Sequence, residues 1–129
     1  MNRIIFNLPL DAGVKGAVYD TKDPAYLHED LLEIELANGI FIDVGWYPHK
    51  DSMGCFVLSV FKEDWDNLLQ DEVCASTPAE LKAKIDFLLE FWKDRRPLPL
   101  SAVENQSLLA RCGELGTFSN LPMGTGDIA

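Results

Sequence analysis

Three residues near the middle of the chain have side chains that nucleophilic catalysis uses. His49, Asp51 and Cys55 would supply a general base, a carboxylate that orients it and a nucleophilic thiol. Cys55, however, opens an apolar run, and a thiol that faces a protein core is inert. We therefore predict no catalytic residue. A small cytoplasmic enzyme or ligand-binding domain with a site near His49 and Cys55 is kept as the alternative hypothesis.

The other histidine and cysteines give no metal-ligand pattern. His28 has no cysteine or carboxylate at a recurrent ligand spacing. Cys55, Cys74 and Cys112 are an odd number without paired spacing, so we expect reduced thiols in the core and no disulfide framework. The glycines of "PMGTGDI" lack the strand, the helix and the lysine of a phosphate-binding loop. We expect neither a metal nor a cofactor.

An acidic run between positions 63 and 72 is the first candidate for a binding surface. It holds five acids, one tryptophan and no basic residue: Glu63, Asp64, Trp65, Asp66, Asp71 and Glu72. An EF-hand is excluded, because the alternating oxygen ligands, the central glycine and the closing glutamate are missing at the required spacing. Two interpretations stay open. The run is either a solvated turn or an acidic docking edge with Trp65 as its apolar anchor.

The composition of the whole chain favours a basic partner. Its 129 residues, 47% of them hydrophobic, suit one domain with a modest core. The net charge of -10 and the pI of about 4.4 argue against nucleic acid or an anionic membrane and favour a basic protein or a cation. The opening "MNRIIFNLPL" is too short and too polar for a signal peptide or a membrane span, so we expect a cytoplasmic protein.

A β-hairpin is predicted between positions 32 and 46, where apolar and polar residues alternate. A two-residue Asn-Gly turn would set the apolar row of one strand beside the charged row of the other. A three-residue loop, 37–39, with Gly39 in the left-handed conformation, aligns the two apolar rows instead. We predict this second register. It gathers three acids on the opposite face, which is a secondary candidate surface: Glu33, Glu35 and Asp43.

A helix over 78–94 is the best-marked element of the sequence. Thr77 is the expected N-cap, Pro78 occupies the first helical position, and Glu80 completes a capping box. Five apolar residues fall on one stripe: Leu81, Ile85, Leu88, Leu89 and Trp92. Phe87 and Phe91 lie on the flank of that stripe, so the C-terminal tail or a partner must cover them. They extend the secondary candidate surface.

The remaining pattern completes the predicted fold. Further strands are predicted at four places: 4–8, 14–19, 55–61 and 69–75. Ser101 and Glu104 form a second capping box, which opens a short helix through about Cys112 that ends at Gly113. We predict an α+β protein with a mostly antiparallel sheet of four to six strands and one long helix packed on a face. Residues 1–96 form a single domain, and 97–129 form a C-terminal extension with a short helix and a Pro/Gly-rich tail.

Between Leu32 and Trp92 the chain resembles small bacterial immunity proteins, which neutralise the toxin domains of contact-dependent growth inhibition and other polymorphic toxin systems. The resemblance rests on "LEIELANGIFIDVGW", on the Asp64-Trp65 pair, on "DEVCAS" and on the helix ending "FLLEFW". It implies a non-enzymatic protein that binds one cognate toxin and blocks its active site or substrate path. Given the charge, we expect a basic toxin, such as a nuclease, with no nucleic-acid or membrane partner.

A second similarity, to antitoxins with three strands followed by a helix, rests on "CASTPAELKAKIDFLLEF". Such antitoxins usually add a DNA-binding element. The acidic balance of this chain argues against one.

Overall fold

A computed structural model describes residues 2–21, 23–48, 53–62 and 68–115. In this part of the chain five antiparallel strands form one sheet in sequence order: β1 (Gly13–Gly16), β2 (Leu32–Glu35), β3 (Ile40–Tyr47), β4 (Cys55–Lys62) and β5 (Val73–Ala75). Two helices follow: α1 (Pro78–Trp92) and α2 (Ala102–Glu114). The predicted α+β class and antiparallel sheet are confirmed. Both predicted helices are present, and α2, at 13 residues, is nearly as long as α1, at 15 residues.

The hairpin between β2 and β3 has the predicted three-residue loop. Gly39 has a φ of 85°, and the Leu36 amide donates to the Ile40 carbonyl oxygen at 2.8 Å. Ile34 lies opposite Ile42 as a result, so both rows of apolar side chains reach the same face. Burial of one face fixes the register, since a slip by one residue would turn every apolar side chain to the other side.

One core lies between α1 and one face of the sheet. The strands contribute a set of fully buried side chains: Ile34, Ile40, Ile42, Val44, Trp46, Phe56, Leu58 and Val60. The predicted stripe of α1 is buried in the same cluster: Leu81, Ile85, Leu88, Leu89 and Trp92. The opposite face of the sheet is not covered by α1.

Both ends of α1 are fixed by side-chain hydrogen bonds. Thr77 accepts from the Glu80 amide at 3.1 Å, as expected of an N-cap. The Glu80 carboxylate accepts from the Ser76 amide at 2.9 Å, so the predicted return bond reaches one residue further back. At the other end, Asn38 Nδ2 donates to the carbonyl oxygens of Trp92 and Arg95, each at 2.8 Å. The hairpin loop therefore caps the helix.

α2 begins at the predicted capping box and ends later than predicted. Ser101 and Glu104 exchange both hydrogen bonds of the box. The helix continues through Gly113, which is helical and does not terminate it. Leu108 and Cys112 join the core, and Asn105 Oδ1 accepts from the Asp71 amide at 2.8 Å. The tail from residue 116 onward lies outside the described residues.

The N-terminal strands are shorter than the sequence suggests. Residues 4–8 form no strand, although the Ile4 amide donates to the Val18 carbonyl oxygen at 2.8 Å. β1 ends at Gly16, which has a φ of 85° and packs so tightly that a Cβ there would lie 2.2 Å from the Leu31 carbonyl oxygen. β5 retains only the last three residues of the predicted strand over 69–75. None of the helices among the described residues is long and apolar enough to cross a bilayer.

Candidate protein-binding face

A row of polar side chains crosses the face of the sheet that α1 leaves open. Lys15 lies opposite Glu33, Glu33 opposite Asp43, and Asp43 opposite Ser59. The Ser59 hydroxyl then donates to the Glu72 carboxylate at 3.0 Å, which extends the row to the start of β5. Three of these residues, Glu33, Asp43 and Glu72, are called the acidic row below.

The placement of the acidic row follows from strand alternation. Even-numbered residues of β2, β3 and β4 face the core, so odd-numbered residues face the other way. The predicted grouping of Glu33, Glu35 and Asp43 on one face is therefore confirmed. Like charges directly opposite each other in neighbouring strands are destabilising. The Glu33–Asp43 pair thus carries a cost in the free protein.

Asp43 is the most perturbed acid of this face. Its pKa is raised to about 6, first by burial and then by the charges of Glu33 and Asp30. Burial and the like charges of two acidic neighbours both disfavour the ionised form of a carboxylate. A cationic group brought to this point would remove that penalty.

The loop before β2 adds further negative charge. Its backbone lies against β3, because the Trp46 amide donates to the His28 carbonyl oxygen at 2.7 Å, and a Cβ on Gly45 would lie 2.1 Å from the Glu29 carbonyl oxygen. Tyr47 is exposed on the same face as Asp43, and its pKa is raised. The largest cause is burial, followed by the charges of four acids: Glu29, Asp43, Asp30 and Glu72. Their negative field extends over this face.

The acids of this face are not neutralised by the ion pairs that the described residues form. Those pairs lie on the helices and the segment between them: Lys82–Asp86, Lys84–Glu80, Lys93–Glu90 and Arg95–Glu104. A groove of about 210 Å³ runs beside the row, lined by Lys15, Gly16, Asp30, Leu31, Leu32, Glu33 and Asp43. It is open to solvent.

Aromatic side chains flank the acidic row. Phe41 and Phe61 stack on the same face with ring centroids 5.4 Å apart. Phe41 is half-buried, and Tyr47, on the other side of Asp43, is 42% exposed. Aromatic residues are enriched in the central parts of protein interfaces, whose rims are polar.

The acidic run predicted from the sequence is only partly within the described residues. Glu63, Asp64, Trp65 and Asp66 lie outside them. Of the rest, Glu72 joins the acidic row through Ser59, whereas Asp71 is exposed and its backbone is tied to Asn105 of α2. The structure thus brings one member of the run to the surface formed by Glu33 and Asp43.

Phe87 and Phe91 lie on α1, away from the acidic row. Both are half-buried and pack against the core. The guanidinium of Arg111, on α2, lies 4.9 Å from the Phe87 ring centroid, and that of Arg95 lies 4.4 Å from the Phe91 ring centroid. Side chains of α2 and of the segment before it therefore cover part of this flank, whereas the C-terminal tail that was expected to cover it lies outside the described residues.

The residues of the alternative site do not form a catalytic arrangement that can be described. His49 and Asp51 lie outside the described residues. Burial first, and then the thiol of Cys74, raises the pKa of Cys55, which keeps it in the less nucleophilic protonated form. Within the described ranges, the histidines, cysteines and acids form no group of three or more that could hold a metal ion.

The expectation that all three cysteines lie in the core is wrong for two of them. Only Cys112 is buried, whereas Cys55 is half-buried and Cys74 is exposed. Cys55 stands at an odd-numbered position of β4, so it faces the open side of the sheet while Phe56 faces the core. The apolar run in β4 is continuous on both faces, which hid this alternation.

No family model matches the chain, and searches of curated proteins and of solved structures find no significant similarity to it.

Sequence reasoning missed several members of the face. Lys15 and Ser59 come beside the acidic row only through strand pairing, which the sequence did not fix for β1 or β4. Glu29 and Asp30 come from a loop without periodicity. Ser59 did give one signal, since it is the single polar residue in the middle of an apolar strand.

Proposed function

We propose that this protein is an immunity protein, which binds a basic toxin domain, such as a nuclease, and occludes its active site. The observation that carries the proposal is the acidic row on the open face of the sheet. Asp43, at its centre, is half-buried beside Glu33 and Asp30, and no ion pair among the described residues gives it an opposite charge. A lysine or arginine of a partner would supply that charge and relieve the like-charge pair.

The physical cost of the free face supports a binding role. Like-charged carboxylates held opposite each other reduce stability, and selection retains such arrangements where function needs them. The charge of this face would favour a basic partner in two ways. Its long-range field would speed association, and charge pairs buried between the acidic row and the partner would slow dissociation. Phe41 and Tyr47 would supply apolar contact beside the charges.

The proposal includes the finer points of the sequence interpretation. The protein acts stoichiometrically and without a cofactor in the cytoplasm, where it meets the toxin that enters the cell. Residues 1–96 form the binding domain and 97–129 its C-terminal extension. The acidic run at 63–66, with Trp65, is a further candidate for contact with the same partner.

The test is protection of cells from the toxin domain encoded immediately upstream. That domain is expressed in a bacterial host with and without this protein, and we expect growth only when both are present. A triple variant, Glu33→Gln, Asp43→Asn and Glu72→Gln, should lose protection. A matched variant, Asp11→Asn, Asp20→Asn and Asp94→Asn, removes the same number of charges from exposed positions outside the open face and should protect as the parent does.

Several results would contradict the proposal. One is a toxin domain that kills equally well in the presence of this protein, and another is an upstream gene that belongs to a metabolic operon. A third is full protection by the folded acidic-row variant, which would move the interface away from this face.

A further inference from the structure

We propose that Cys55 and Cys74 form a reversible disulfide across β4 and β5 when the protein meets a low-molecular-weight disulfide oxidant. The pair is outside the acidic row, and the inference does not depend on the proposed function. The reaction is a property of the free chain and can be measured without a partner.

Strand pairing places both thiols on the open face. Cys74 lies opposite Val57, and Cys55 is two residues from Val57 on the same strand and face. The thiol of Cys74 contributes, after burial, to the raised pKa of Cys55. Cys74 is exposed and Cys55 half-buried, so an oxidant in solution can reach the pair, whereas Cys112 is in the core.

The diagonal position makes the bond strained and therefore reversible. Diagonal neighbours on paired strands have Cα atoms about 7–8 Å apart, while a relaxed disulfide spans about 4.4–6.8 Å. β5 is a three-residue strand at the end of the strand order, and closing the bond requires its backbone to move against the hydrogen bond that the Cys74 carbonyl oxygen accepts from Lys84 Nζ. Strained and exposed disulfides are more easily reduced than structural ones.

The reaction balances in two exchange steps. The Cys74 thiolate attacks one sulfur of glutathione disulfide, whose S–S bond breaks, and one glutathione thiolate leaves. The Cys55 thiolate then attacks the Cys74 sulfur of this mixed disulfide and releases the second glutathione. The protein loses two protons and two electrons, and the oxidant becomes two glutathione thiols. Because burial raises the pKa of Cys55, the second step should be faster at pH 9 than at pH 7.

The experiment uses the full chain, reduced and then incubated with glutathione disulfide. Free thiols counted in denaturant should fall from three per chain to one, and dithiothreitol should restore all three. Trypsin places Cys55 in peptide 51–62, Cys74 in peptide 63–82 and Cys112 in peptide 112–129. Mass spectrometry should find the first two peptides cross-linked within a monomer.

Three variants make the result specific. Cys112→Ser should form the cross-link as the parent does. Cys55→Ser should instead accumulate a glutathione adduct on Cys74, because no second thiol resolves it, and Cys74→Ser should form no cross-link. A parent protein that gives only glutathione adducts, only dimers linked between chains, or three unchanged thiols would overturn the proposal.

Discussion

Asp43 is the residue at which stability and the proposed binding oppose each other. Its folded pKa of about 6 lies above the ordinary pKa of 3.8 for an aspartate, so between these two values the folded state holds a proton that the unfolded chain has released. The free energy of unfolding therefore falls as the pH rises from about 4 to 6. Above pH 6 the full cost of the charged carboxylate is present.

We predict that Asp43→Asn stabilises the free protein at pH 8 by about 1 kcal/mol, a value reduced for solvent screening of a half-exposed group. The gain should disappear below about pH 4, where Asp43 is neutral in both states. Urea unfolding of the parent and the variant at pH 3.5, 5 and 8 measures this difference. Asp11→Asn, an exposed acid outside the row, is the control. Equal effects of the two substitutions at pH 8 would contradict the account of Asp43.

Two glycines have open space around them, and their substitution by alanine should change the stability of the protein in opposite directions. Gly39 has a φ of 85° and Gly113 is helical, and a Cβ would meet no atom within 4 Å at either position. Gly39→Ala should cost about 1 kcal/mol, because alanine is strained at positive φ. Gly113→Ala should gain about 0.5 kcal/mol through helix propensity. Thermal unfolding of both variants measures the two changes in stability. A Gly39→Ala protein as stable as the parent would be inconsistent with the three-residue loop.

The enzyme alternative makes its own prediction at the residue scale. If Cys55 is not a nucleophile, Cys55→Ala should leave protection against the toxin nearly unchanged, and so should His49→Ala. Growth rates in the toxin co-expression assay measure this. Loss of protection by either variant, with an unchanged circular dichroism spectrum, would revive the catalytic interpretation.

At the scale of elements, the loop between β2 and β3 and the end of α1 are one unit. Asn38 Nδ2 donates to backbone carbonyl oxygens at the end of the helix, which stabilises both elements. Asn38→Asp removes these donors and places a negative charge at the negative end of the helix dipole. We predict a loss of about 2 kcal/mol, measured by urea unfolding.

Asn105→Asp is the matched control for this change. Asn105 lies in the first turn of α2, where the dipole favours a negative charge, and its Oδ1 accepts from the Asp71 amide. The Asn105→Asp substitution should lower the stability by less than about 0.5 kcal/mol. Equal losses at positions 38 and 105 would show that the donors of Asn38 are not responsible.

Those parts of the fold that rest on one periodic stripe could be predicted from the sequence. The β2–β3 register and the buried stripe of α1 follow from apolar spacing, and the α2 box follows from Ser101 and Glu104. The short β1, the late end of α2 at Glu114 and the outward direction of Cys55 could not. Each of these depends on tertiary packing, such as the close approach of Gly16 to Leu31, which leaves no local pattern.

The candidate site likewise has one part that the sequence predicts and another that it does not. Glu33, Glu35 and Asp43 could be grouped from alternation alone, because they belong to one hairpin. Lys15, Asp30, Ser59 and Glu72 come from distant parts of the chain, and only the strand order brings them to the same face. A sequence reports local periodicity and leaves such long-range pairing undetermined.

At the scale of the whole molecule, the net charge of -10 is distributed unevenly over two regions. The acids of α1 and α2 in the described ion pairs are neutralised within the chain, whereas those of the open sheet face are not. Uncompensated charge on one face gives the molecule a directed field. Such a field speeds the approach of an oppositely charged partner and is screened by salt.

The most direct test of the central claim is the association rate with the purified toxin domain, followed by stopped-flow fluorescence at 20 and 500 mM salt. For the parent, the rate should fall by about tenfold or more between these salt concentrations. The variant with Glu33→Gln, Asp43→Asn and Glu72→Gln should associate about tenfold more slowly at low salt and lose most of the salt dependence. The matched variant at Asp11, Asp20 and Asp94 should behave nearly as the parent. An acidic-row variant that is folded and associates at the parent's rate at both salt concentrations would contradict the assignment of this face to toxin binding.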